Sequence, residues 1–169
     1  MDGKMVAQHP FHPVASTVSP DVPVLIGSTR TELTTSYLND PAAFSLDDNG
    51  LRTRVQAIVG DRTAHIIDVY RKANPGAPSS DLFFLIASDH RYTAPTMTIA
   101  ERRAALAKGP VYLYYFTWET PVMGGKVKSP HTMEIPFVFD NVKISARLTG
   151  GGADGMALAD KVSDAWIAF

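Results

Sequence analysis

Two short runs are apolar without interruption, and most other apolar residues recur at helical spacing. Val22-Pro23-Val24-Leu25-Ile26-Gly27 is β-branched, wholly apolar and ended by glycine. It predicts a strand covered on both faces, as in a parallel sheet. Val111 to Phe116 predicts a second strand. Val111, Leu113 and Tyr115 point one way and Tyr112, Tyr114 and Phe116 the other, so this strand also suits a central place between helices. From Leu51 the period changes: Leu51, Val55, Ile58 and Val59 share one helical face. Gly60 stops that helix, and Asp61 is placed to cap a second one carrying Ala64, Ile67 and Tyr70. After the break at Asn74-Pro75-Gly76-Ala77-Pro78, Ser79 or Ser80 is placed to cap a third helix, Asp81 to about His90. Pro95 permits a fourth through Met97, Ala100, Ala104 and Ala107, which Gly109-Pro110 ends. The last helix runs from about Asp154, with Leu158, Ala159, Val162, Ala165, Trp166 and Phe169 along one stripe.

The segments between are polar or turn-rich. Residues 1–20 read as an extended surface lead-in, rich in Pro, His, Ser and Thr. Gly27 to Leu38 is dense in Ser and Thr, and a polar loop after a buried strand is where open α/β proteins place their chemistry. Glu119 to Pro130 is a second such loop, followed by His131 and the apolar segment Ile135 to Phe139. Two strands of about six residues make roughly 7% of the chain, against ~20–25% in ordinary globular proteins. The fold class expected is therefore α/β, predominantly helical, with an incomplete sheet. Strands of the buried type need neighbours, so the chain is expected to be part of something larger.

Composition narrows the chemistry. Sixteen basic and 17 acidic residues in 169 leave a formal charge of −1, no electrostatic footprint for nucleic acid or an anionic membrane. No apolar run approaches a membrane span, and nothing near the N-terminus reads as a signal peptide, so the cytosol is the default compartment. The absence of cysteine excludes disulfides, thiolate nucleophiles and sulfur-ligated metals. His9 and His12 lack nearby carboxylates and make a weak metal site. Gly150-Gly151-Gly152 lacks the Lys-Ser/Thr ending of a phosphate loop and reads as a connection. No cofactor is expected.

Three positions stand out: Glu32 past the first buried strand, His131 past the second, and Asp89 beside His90 and Arg91. Each has a plain structural explanation: a solvated loop carboxylate, an exposed histidine, and a helix-end acid paired with Arg91 or Arg102. Glu32 and His131 could instead form an acid–imidazole pair. In such a pair the carboxylate accepts the Nδ1 proton and sets the tautomer that lets Nε2 take a proton from a nucleophile. Without cysteine that nucleophile would be a serine.

Val22 to Glu32 resembles the strand and acid loop of the type-B carboxylesterases, serine esterases of the α/β-hydrolase fold. His131-Thr132-Met133-Glu134-Ile135-Pro136-Phe137-Val138-Phe139 resembles the segment that holds that family's catalytic histidine. Ser88 to Pro95, Val111 to Trp118 and Ser163 to Phe169 match in order and approximate spacing. The likeness begins near Asp2 and implies that residues 1–169 are the C-terminal segment of one such domain. It also implies that Glu32 is the triad acid and His131 the triad base. Glu134 is the weaker acid candidate, a helix-start residue in the family pattern. Thr31 and Leu33 stand where that pattern has Asp and Gly.

Triad order in α/β-hydrolases is serine, acid, histidine. No Gly-x-Ser-x-Gly occurs in the 169 residues, so the nucleophile elbow is expected upstream and this chain alone is expected to be inactive. The implied function is hydrolysis of small carboxylic esters, with Phe83, Phe84, Trp118 and Met123 as pocket-lining or core residues. Exposed apolar strands would favour self-association or an N-terminal partner. The alternative is a non-catalytic interaction module or scaffold of the same fold.

Overall fold

The computed structural model describes residues 3–5 and 8–169, so residues 1, 2, 6 and 7 of the expected lead-in lie outside the described residues. Strands β1 (Val24–Thr29) and β2 (Val111–Phe116) pair in parallel, with Val24 opposite Val111 and Thr29 opposite Phe116. Between them run helices α1 (Asp48–Val59), α2 (Thr63–Ala73), α3 (Ser79–Ser88) and α4 (Ala94–Ala104). Two short helices follow β2, α5 (Ile135–Val138) and α6 (Ala146–Thr149), and then the longer α7 (Ala153–Ala168).

Helix α4 packs on both strands. From α7, Trp166 meets Tyr114 edge to face at 5.0 Å, and Phe169 just beyond it meets Tyr112 at 5.9 Å. The lead-in is pinned to α4: the buried Arg103 guanidinium donates to the carbonyls of Ser19 and Val22, and Arg102 donates to that of Phe11.

The described residues hold two apolar cores. Leu51, Val55, Leu82, Phe83 and Phe84 close one core between α1, α2 and α3. This places Phe83 and Phe84, each 1% exposed, in packing and not at a pocket, while Met123 is exposed. Phe116, Met133, Phe137, Val142 and Ala159 form the other core, beneath the turn that follows His131, and the Trp118 ring lies tilted against Phe137, centroids 4.9 Å apart.

Several local expectations change. Gly27 does not end β1 but lies inside it, with pairing continuing to Thr29, and it is glycine there because a Cβ would sit 2.3 Å from the Tyr114 ring lying opposite. Asp61 lies in a 3₁₀ turn ahead of α2 and is not its cap. Ser79 and Ser80 are inside α3. Their hydroxyls serve tertiary partners, Ser79 donating to Asp48 at 2.6 Å and Ser80 accepting from the Leu46 N–H at 2.8 Å. Asp47 does cap α1, accepting from the Gly50 N–H at 2.7 Å. The fourth helix ends at Ala104, short of Ala107. The strands are also less covered than their apolar faces predict. Tyr112, Leu113 and Tyr115 are each about half exposed, and among the described residues no third strand lies beside β2.

Candidate functional site

The parallel register brings the C-terminal ends of β1 and β2 side by side, and the loops that leave them carry Glu32 and His131. Polar residues lace the two loops together. The Arg30 N–H donates to the Phe116 carbonyl at 2.9 Å and the Thr31 N–H to that of Ser129 at 3.0 Å. Thr31 Oγ1 accepts from the Ser129 N–H at 2.9 Å, and Thr34 Oγ1 donates to the Val127 carbonyl at 2.7 Å. Ser129 Oγ donates to the Phe116 carbonyl, and the Leu33 N–H donates to Ser88 Oγ from the end of α3. Every one of these groups would otherwise be a desolvated donor or acceptor, so the hydroxyls hold the loops to one conformation.

Glu32 is 5% exposed, and both its carboxylate oxygens are used. Oε1 accepts from the Thr29 N–H at 2.7 Å, and Oε2 lies 2.6 Å from Nδ1 of His131. The His131 N–H donates to the Glu32 carbonyl at 3.2 Å. Met133 and Phe137, both fully buried, anchor the turn that follows the imidazole. The His131 side chain is about half exposed, with the Tyr92 ring against it. One edge of the imidazole is thus tied to a buried carboxylate while the rest of the ring faces outward.

The other candidates fall elsewhere. Asp89 accepts from the Tyr70 hydroxyl at 2.5 Å, so its partner is neither Arg91 nor Arg102. Glu134 stands at the start of α5, with Oε1 3.5 Å from the Tyr114 hydroxyl and Oε2 buried without a hydrogen-bond partner among the described residues. It is Glu32 that meets His131. Burial and the neighbouring Glu134 carboxylate push the Tyr114 phenol up to about 12. His9 and His12 meet edge to face at 5.9 Å. Among the described residues no group of three or more His, Asp or Glu side chains is placed to hold a metal. Nor is any helix there long and apolar enough to cross a membrane. The Ser/Thr density of Gly27 to Leu38 signals the lacing hydroxyls of Thr31 and Thr34, whereas Ser88, Ser129 and Tyr92 carry no comparable local signal.

The sequence profile of the carboxylesterase family matches residues 1–169. The chain belongs to the carboxylesterase family. It is 28% identical over 167 residues to phenmedipham hydrolase of Pseudarthrobacter oxydans, covering 95% of this chain and 32% of that protein. It is 26% identical over 172 residues to para-nitrobenzyl esterase of Bacillus subtilis, covering all of this chain and 33% of that one. The crystal structure of carboxylesterase EST55 from Geobacillus stearothermophilus at pH 6.2 superposes with a TM-score of 0.76 at 30% identity, over 99% of this chain and 35% of that one. The chain therefore spans about a third of the length of these relatives. The two-stranded sheet and its flanking helices are a partial α/β-hydrolase fold of this carboxylesterase family.

Proposed function

We propose that this chain carries the acid and the base of a serine carboxylic-ester hydrolase whose nucleophile lies outside these 169 residues. The observation that carries the reading is the 2.6 Å contact between His131 Nδ1 and a Glu32 carboxylate that is itself held by the Thr29 N–H. In this arrangement Glu32 keeps the proton on Nδ1, which leaves the Nε2 lone pair for a serine hydroxyl. As the hydroxyl attacks an ester carbonyl, Nε2 takes its proton and Glu32 stabilises the imidazolium. The same proton then goes to the departing alcohol, and Nε2 next activates the water that cleaves the acyl-enzyme. The donors for the oxyanion belong with the nucleophile.

The substrates are small carboxylic esters. The name of para-nitrobenzyl esterase carries ester hydrolysis, as does that of the carboxylesterase family, and the proposal extends that class to this chain. The half-exposed Tyr112, Leu113 and Tyr115 of β2 are where the rest of the hydrolase packs.

The test is co-expression with an upstream segment bearing a Gly-x-Ser-x-Gly elbow, assayed on a chromogenic short-chain ester. The assembled protein should turn over, His131→Ala and Glu32→Ala should abolish turnover, and this chain alone should do no better than free imidazole. A serine-directed phosphonate that labels a serine of this chain with burst kinetics would overturn the proposal.

A further inference from the structure

Glu32 restrains His131 through a single contact at Nδ1, 2.6 Å long, and the torsion about the imidazole's Cβ–Cγ bond has broad wells that one contact narrows but does not close. Tyr92 lies against that ring, with centroids 5.4 Å apart and planes 38° from parallel. We infer that Tyr92 is a positioning residue for His131. Its ring covers one face of the imidazole and confines it to the orientation in which Nδ1 meets Glu32. This inference rests on the reading of Glu32 and His131 as acid and base.

The backbone beneath Tyr92 is built for the purpose. Helices α3 and α4 are joined by a π turn, Asp89–Thr93, in which the Ala94 N–H reaches back five residues to the Asp89 carbonyl. A π turn carries one residue more than an α turn, which rotates the following positions by about 100° around the axis. Side chains tie the turn on three sides. Asp89 accepts from Tyr70 of α2, and the Ser28 hydroxyl of β1 donates to Thr93 Oγ1 at 3.2 Å. Ser88, just ahead of the turn, receives the Leu33 N–H of the acid loop at 3.2 Å. The widened turn is thereby held against the same loop that presents Glu32, and Tyr92 reaches His131 from a fixed base.

The experiment is a long-range proton–nitrogen correlation of the imidazoles of the 15N-labelled chain at alkaline pH, with His131 assigned by comparison with His131→Ala. Nitrogen shifts separate the Nδ1–H from the Nε2–H tautomer, and Glu32 favours the former. The unmodified chain and Tyr92→Phe should both show Nδ1–H. In Tyr92→Ala, and in Tyr92→Leu, which keeps apolar bulk and so guards against a merely unfolded variant, the Nδ1–H population should fall roughly two-fold or more. Unchanged tautomers in both truncations would overturn the inference, as would an equal loss in Tyr92→Phe. An unmodified chain lacking the Nδ1–H tautomer would instead overturn the acid–base reading, and the role of Tyr92 with it.

Discussion

Replacing Glu32 by Gln and by Ala should separate the two hydrogen bonds that its carboxylate accepts. The Ala variant leaves the Thr29 N–H, buried at the end of β1, without its acceptor at 2.7 Å, and such an orphan costs ~1–3 kcal/mol. It also removes the His131 contact, but that side chain is half exposed and its Nδ1–H returns to water at little cost. The sum for Glu32→Ala is therefore about 1–3 kcal/mol, most of it the Thr29 orphan. In Glu32→Gln the amide oxygen still accepts from Thr29, so only the charge assistance is lost, about 1 kcal/mol. The Gln amide group then faces Nδ1 and forces the imidazole proton to Nε2, the wrong nitrogen for a base. In the assembled hydrolase proposed above, that change lowers kcat by roughly 10⁴-fold, the scale seen when a triad carboxylate becomes an amide. Urea unfolding followed by the fluorescence of Trp118 and Trp166 reads the stabilities, and each kcal/mol should move Tm by ~2–4 °C at this size. Equal losses for the two variants would refute the reasoning, because the Thr29 anchor would then have no separate worth. So would an Ala variant within ~0.5 kcal/mol of the parent, the range of ordinary surface substitutions.

Two further outcomes follow from packing and charge. Phe137→Ala empties the centre of the core beneath the turn that follows His131, where Phe116 and Trp118 both rest on its ring, and should cost ~3–5 kcal/mol in the same unfolding assay. The Tyr114 phenol, raised from its ordinary 10.0 to about 12 by burial and then by Glu134, binds its proton more tightly in the folded state than in the unfolded one. Its contribution is therefore whole below pH 10 and lost as pH rises from there towards 12, so alkaline titration of stability should fall less steeply in Tyr114→Phe.

The departure at the acid loop shows how local pattern and tertiary context divide the work. Leu33 stands where the family pattern has glycine, but its φ of −90° is ordinary right-handed backbone, so this loop needs no glycine there. Thr31, in place of the usual Asp, spends its hydroxyl on the loop that leads to His131. Glycine matters instead at Gly27, for a reason no local pattern could carry: the Tyr114 ring, 87 positions away in β2, needs the room. Ser79 and Ser80 mislead in the same way, since a serine ahead of a helix looks like a cap whether its hydroxyl turns to its own backbone or to Asp48 and Leu46.

Periodicity, turn chemistry and composition act over a few residues, and they were enough to reveal the two strands and the longer helices, while the family came from the resemblance of its motif segments and from the profile match. They also marked Glu32 and His131 as polar side chains leaving the ends of apolar strands. Contact between those two, 99 positions apart, depends on the register of β1 against β2 and on hydroxyls that lock the loops beyond them. The π turn that brings Tyr92 to the imidazole has no local signature either, because it is held by Tyr70, Ser28 and Leu33 from three other segments. Such long-range pairings form only when the whole chain has packed, which is why only the folded structure shows them.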